Sequence, residues 1–153
     1  MPDLSLKDKV AIVTGGSGDI GGAIARKLAE QGATTIATFV GNEKAAAELV
    51  QSIQNKGGFA RAVQLDQRSP ESVNLLMENV RKTEGSLDIL INNAAWNIGI
   101  PFPQLDALTP EIWDRVLETN VRGPFLLARA GETMLKSGLG GHIVNISSAG
   151  GIS

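Results

Sequence analysis

The residues best suited to chemistry stand in Thr14-Gly15-Gly16-Ser17-Gly18-Asp19-Ile20-Gly21. The β-branched run Val10-Ala11-Ile12-Val13 leads into them, and helical spacing follows. Glycines let a backbone approach a ligand closely, and a helix start directly behind them presents unpaired N–H groups. Those donors, with the positive end of the helix dipole, suit a diphosphate. Turns use glycine for their own reasons, so it is the position between a strand and a helix that points to phosphate. Three polar clusters follow: Asn92-Asn93-Ala94-Ala95, Asn120-Val121-Arg122-Gly123 and Asn145-Ile146-Ser147-Ser148. They supply carboxamides and hydroxyls, which bond and orient a ligand but do not titrate near neutrality.

Alternating elements must position these groups. Val10 to Val13 reads as a buried parallel strand, and Ile20 to Gln31 as a helix with Ile20, Ala23, Ile24, Lys27 and Leu28 at helical spacing, stopped by Gly32. Thr34 to Val40 is a second strand. Glu43 to Asn55 is a helix with Ala46, Leu49, Val50 and Ile53 on one face, and Phe59 to Leu65 is a third strand. Ser69-Pro70 caps a helix that carries Val73, Leu76, Met77 and Val80. Leu87 to Asn92 and Ile143 to Ser147 are the fourth and fifth strands, with a helical region from Thr109 to about Lys136 between them. This alternation predicts an α/β fold, a Rossmann-type doubly wound parallel sheet of about five strands in the order 3-2-1-4-5. Such sheets bind ligands at the carboxyl ends of strands where the order reverses, which is where the glycine turn falls.

The bulk numbers are those of an ordinary globular chain. With 153 residues and 42% hydrophobic content, one domain can bury a core. A net charge of −2 gives no reason to expect nucleic acid or an anionic membrane as partner. No apolar run has signal-peptide or membrane-spanning character, so the expected setting is cytoplasmic. There is no cysteine and one histidine, so neither a disulfide nor a metal site is expected. His142 reads as a surface or strand-edge residue, and Trp96 and Trp113 as packing residues, Trp96 opening a loop that could face substrate.

The four motifs, in this order and on these elements, strongly resemble the short-chain dehydrogenase/reductase family, in particular its 3-oxoacyl-acyl-carrier-protein reductase and glucose dehydrogenase-like group. The resemblance runs from about Leu6 to the last residue. It implies an NAD(P)-dependent oxidoreductase moving hydride between the nicotinamide and a small ketone or secondary alcohol, usually a homotetramer or dimer that uses the helix beginning near Thr109. Backbone N–H groups of Gly15, Ser17, Ile20 and Gly21 would hold the diphosphate. Asp66, with Gln67 beside it, would meet the adenine, Asp66 taking the amine's hydrogen bond; a turn or capping aspartate is the other reading. Asn93 and Ala94 would line the adenosine pocket or merely form a tight turn. Asn120 would kink its helix and anchor a proton-relay water, or be an exposed polar residue. Ser148, rather than Ser147, would bond the substrate oxygen.

Departures from the family pattern matter as much. Asp19 stands where glycine is usual; it can cap the helix, yet it sets a carboxylate against the diphosphate, so weaker cofactor affinity is expected. Phe39 occupies the place where NAD-specific members put an acid, which removes the repulsion a 2′-phosphate would meet. Asn42 or Lys44 could contact that phosphate, and although Gly18 replaces a frequent arginine, the balance leans to NADP over NAD. Residues 1–153 read as an NAD(P)-binding Rossmann domain truncated before the family's Tyr-x-x-x-Lys helix, whose tyrosine is the general acid/base; the chain contains no tyrosine. The expectation is an N-terminal fragment, inactive alone, with a fifth strand short of apolar cover. Two alternatives remain: a non-catalytic dinucleotide-binding module or split-subunit partner, and an extended-branch, epimerase-like fragment suggested by the spacing of Gly15, Gly18 and Gly21.

Overall fold

Five parallel strands alternate with helices in the computed structural model, which describes residues 5–137 and 140–148. The expected truncation after Ala149-Gly150-Gly151-Ile152-Ser153 concerns residues outside those described. The strands are β1 (Val10–Val13), β2 (Thr34–Phe39), β3 (Phe59–Gln64), β4 (Ile89–Asn92) and β5 (His142–Asn145). They pair in the order β3-β2-β1-β4-β5, as the alternation predicts. The order reverses between β2 and β4 on either side of β1, with Val13 opposite Ala37 on one side and Ile91 on the other. A crevice therefore opens above the end of β1, where the chain turns through Gly15.

The helices are α1 (Asp19–Glu30), α2 (Glu43–Gln54), α3 (Pro70–Thr83), α4 (Pro110–Leu117) and α5 (Gly123–Leu135). Two apolar layers hold them to the sheet. On one face Ile12, Ile36 and Leu90 pack with Val73, Leu76 and Val80 of α3 and Leu127 of α5. On the other, Ala11, Val13 and Ala37 pack with Ala25 and Ala29 of α1 and Leu49 and Ile53 of α2. The α3 cap is as expected: the Ser69 hydroxyl accepts from the Ser72 N–H at 3.2 Å.

The inward face of α1 differs from the expected one. Gly21, Gly22, Ala25 and Ala29 are buried, while Ile20 is 63% exposed. Side-chain size decides this. A Cβ on Gly22 would already stand 3.3 Å from the Gly16 carbonyl oxygen, so the helix lies closer to the turn than isoleucine or lysine allows. The N-cap is Gly18, without a side-chain bond, so Asp19 begins the helix and does not cap it.

Two further features were not legible as periodicity. A short 3-10 helix spans Phe102–Ala107 with no buried residue. The helical region after Thr109 is broken by a π-helical turn at Glu118–Arg122, where Gly123 donates to the carbonyl of Glu118. All four residues of β5 are exposed, in line with the expected lack of cover. Trp113 is 55% exposed, so it does not pack in the core as expected.

Candidate functional site

Above the carboxyl ends of β1, β2 and β4 lies a cleft of about 660 Å³. Its floor is the glycine turn. Gly15 has φ of +67°, a left-handed conformation that glycine adopts without strain. A Cβ on Gly16 would stand 2.6 Å from the Cβ of Ala37, and one on Gly21 would collide with the Gly15 carbonyl oxygen and lie 2.6 Å from Asn93 Nδ2. Gly18 differs, because a Cβ there would meet only the Gly15 oxygen at 3.5 Å. The close approaches thus fall on Gly15, Gly16 and Gly21, and of the three-residue spacing only Gly18 lacks one. The first helical bond of α1 runs from Gly22 N–H to Gly18 C=O at 2.8 Å, leaving the N–H groups of Ile20 and Gly21 ahead of it.

Thr14 ties this turn to the end of β4. Its hydroxyl accepts from the N–H groups of Asn93 and Ala94, each at 2.9 Å, and donates to the Ile91 carbonyl at 3.3 Å. Asn93 answers with its carboxamide, donating to the Thr14 carbonyl at 2.9 Å and the Gly15 carbonyl at 3.4 Å. The sequence reading left Thr14 out of the site; its place between a strand and a glycine turn was the available signal.

Every expected cofactor residue lies on this cleft. Gly15, Ser17, Asp19, Ile20 and Gly21 form one side. Phe39, Asp66, Gln67, Asn93 and Ala94 form the rest, joined by Trp96, whose loop the sequence analysis allowed to face substrate, and by Arg68 and Arg115, which it missed. Asn120 and Ser148 are not among the described residues that line it. Ser148 sits past the end of β5, exposed.

The charges are arranged differently from expectation. Asp66 Oδ1 accepts from the backbone N–H and Nε of Arg68, both at 3.0 Å, and Oδ2 accepts from Nη2 at 2.8 Å. Both carboxylate oxygens are thus committed to a loop-closing pair, the geometry of the turn-aspartate reading. Hydrogen bonding to the Arg68 guanidinium holds the Asp66 carboxyl below its usual range. Asn42 caps α2, its Oδ1 accepting from Ala45 N–H at 3.1 Å. Lys44 leans on Glu48 at 3.9 Å and does not line the cleft. Asn42 lines the cleft with its Oδ1 committed to the cap, Lys44 does not line it, and the positive groups on the cleft are Arg68 and Arg115.

Asn120 lies in the π turn, where the helix expected to kink departs from α-helical hydrogen bonding. Its Oδ1 accepts from Trp96 N–H at 2.8 Å and its Nδ2 donates to Trp96 C=O at 2.9 Å. That pair of hydrogen bonds excludes the exposed-polar reading. The Trp96 ring carries the Arg115 guanidinium 4.2 Å from its centroid. At the far side, Asn92 Nδ2 donates to Asn145 Oδ1 at 2.8 Å, joining the ends of β4 and β5 just before the serine pair.

A parallel sheet with a glycine cradle at its switch point defines a dinucleotide-binding α/β protein. The short chain dehydrogenase family model matches residues 9–153, and the chain belongs to that family. It is 37% identical over 150 residues to a short-chain type dehydrogenase/reductase of Picea abies, covering 94% of this chain and 55% of that protein. It is 34% identical over 144 residues to glucose 1-dehydrogenase 2 of Bacillus subtilis, covering 94% of this chain and 55% of that protein. Among solved structures, a short chain dehydrogenase from Burkholderia cenocepacia in complex with NADP superposes with a TM-score of 0.86 at 37% identity, covering 94% of this chain and 57% of that one. A metagenomic short-chain oxidoreductase in complex with NADP gives 0.89 at 35% identity, over 97% and 66% of the two chains. The chain spans about half the length of the curated relatives it matches. Among the described residues, no helix is long and apolar enough to cross a membrane.

Proposed function

We propose that this chain binds NADP(H), in preference to NAD(H), in the cleft above β1, as the nucleotide-holding part of an oxidoreductase acting on small ketones or secondary alcohols. The observation that carries this reading is the cradle itself. Gly16 and Gly21 let the turn pack against Ala37, Asn93 and the Gly15 carbonyl where any Cβ would collide, and this sets the N–H groups of Ile20 and Gly21, ahead of the first helical bond of α1, on the cleft. The diphosphate would lie there, with the adenosine toward Phe39, Asp66 and Asn93. The preference for NADP rests on the absence of an acid at the end of β2, where Phe39 is 9% exposed, and on Arg68 and Arg115 at the cleft. Relatives of the same fold were solved with NADP, which supports the same choice.

When bound, the nicotinamide supplies the hydride. The family's Ser148 would bond the substrate oxygen, and Asn120 would hold the loop at Trp96. No tyrosine is present in the 153 residues to hand over the proton, and neither serine nor asparagine titrates near neutrality. We therefore read the 153 residues as competent to bind but not to turn over, in the cytoplasmic setting expected from the sequence. Association with a second copy would use Trp113, Leu117, Val121 and Phe125, exposed at four-residue spacing along α4, the π turn and α5; the last three share one groove.

Fluorescence titration with NADPH and NADH tests the central claim. Saturable binding, tighter for NADPH, is expected. Failure of both to saturate at millimolar concentration would sink the nucleotide reading, and tighter NADH binding would reverse the cofactor choice.

A further inference from the structure

One side chain on the cleft is buried and spends its hydrogen bonds on the protein's own backbone. Gln67 lies just past β3 and is 4% exposed. Its Nε2 donates to the Ala94 carbonyl at 3.0 Å and to the Thr119 carbonyl at 2.7 Å. Its Oε1 is buried with no partner among the described residues. An aliphatic side chain would fill the same space without stranding an acceptor, which is costly in the interior. The use of a carboxamide here lies in its two donor hydrogens, and both are spent on carbonyls of other segments.

Those segments are the ones that Asn120 also joins. Ala94 is two residues before Trp96, and Thr119 is the residue before Asn120. Gln67 and Asn120 together place four hydrogen bonds of 2.7–3.0 Å between the loop after β4 and the π turn. The packing supports the same function. Gly123, which closes the π turn by donating to Glu118, lies under the Gln67 side chain, and a Cβ there would stand 2.7 Å from Gln67 Cγ and 3.0 Å from Nε2. The absence of a side chain at Gly123 is what lets the carboxamide reach Thr119.

We infer that Gln67 is a positioning residue: it fixes the π turn against the loop after β4, and so sets where Asn120 holds Trp96 at the mouth of the cleft. Its neighbours Asp66 and Arg68 face the adenosine end, so Gln67 links that end to the element carrying Asn120. The consequence for cofactor binding rests on the nucleotide reading above; the positioning itself does not.

The test is hydrogen exchange of the Trp96 amide, the proton donated to Asn120, in the full chain without ligand. Gln67→Met keeps the length and removes both donors; Gly123→Ala leaves Gln67 intact and displaces it. In each variant the Trp96 amide should exchange about fivefold faster or more, as expected for loss of one to two ordinary hydrogen bonds, while the Ile12 amide in β1 keeps its protection. The double variant should be no faster than the faster single, because both act on one contact. Unchanged Trp96 exchange in both variants overturns the inference. So does an equal loss at Trp96 and Ile12, which would make Gln67 simple packing. NADPH titration of the same proteins separates the two claims: selective loss at Trp96 in a chain that binds no NADPH leaves the positioning standing and removes the nucleotide reading.

Discussion

Gly21→Ala is the sharpest perturbation of the cradle. The added Cβ would lie 2.6 Å from Asn93 Nδ2, against at least 3.4 Å for ordinary contact, and closer still to the Gly15 carbonyl oxygen. About 0.8 Å of movement is needed, and one of the colliding groups is backbone, which cannot rotate away. Overpacking of this kind costs roughly 1–3 kcal/mol. Displacing the Asn93 carboxamide from Thr14 C=O, 2.9 Å away, adds about 1 kcal/mol. A total near 2–4 kcal/mol lowers the melting temperature of a chain this size by roughly 4–16 °C. Losing one charge-assisted N–H contact to the diphosphate weakens NADPH roughly 10- to 150-fold. Gly18→Ala is the matched control: its Cβ would meet only an ordinary 3.5 Å contact and its φ of −89° suits any residue, so its urea midpoint should fall only by the modest loss of a glycine N-cap, less than for Gly21→Ala. Urea unfolding with an unchanged m-value and NADPH titration read both effects. A wild-type midpoint for Gly21→Ala refutes the close-packing argument. Equal damage from Gly18→Ala shows that glycine spacing, not Cβ space, governs the turn.

Other outcomes follow from the same geometry. Thr14→Val removes the acceptor for two N–H groups at 2.9 Å, so unfolding should cost about 2–4 kcal/mol less, measured in urea. Asp66 has its pKa lowered by Arg68, so its contribution to stability is complete above the ordinary carboxylate value and is lost as pH falls through the lower folded value; the gap in urea midpoint between wild type and Asp66→Asn should be open at pH 7 and narrow below about pH 4. Asp19→Gly should tighten NADPH by several-fold if its carboxylate repels the diphosphate; an unchanged dissociation constant removes that idea. Val121→Glu should lower the sedimentation coefficient of any dimer that forms through the exposed stripe, in which Val121 is 62% exposed.

The sheet was legible because its signal is one-dimensional. Buried parallel strands are continuous apolar runs, and Val10–Val13, Thr34–Phe39 and Ile89–Asn92 stand out as such. The faces of α2 and α3 followed for the same reason, with large residues repeating at helical spacing. The face of α1 did not, since the helix seats itself by its smallest residues, Gly21, Gly22 and Ala25, and a hydrophobic count gives those little weight. The cleft residues carried by motifs were found. Arg115 was not, because it comes from α4, whose approach to Trp96 depends on the Asn120 bonds and on no local pattern. Arg68 was missed although it stands two residues past Asp66, as was the cost to Asp66 of pairing with it.

On the proposed reading, binding and chemistry are separable in this chain, and that separation can be measured. The cradle is held by bonds among Thr14, Gly15, Asn93 and Ala94, all within the described residues. Proton transfer has no such provision: the side chains the family resemblance brings to the reacting oxygen are a serine hydroxyl and, through its loop, an asparagine carboxamide. Removing a positioned general acid costs about 10²- to 10⁴-fold in rate. The 153-residue chain should therefore saturate with NADPH while consuming it, with any ketone offered, at least about 10²- to 10⁴-fold more slowly than a family member that carries the tyrosine. Stopped-flow loss of NADPH absorbance under single-turnover conditions is the sensitive assay, since it needs no product release. Turnover at family-like rates would show that another group moves the proton, and the tyrosine argument would fall while the cradle stood.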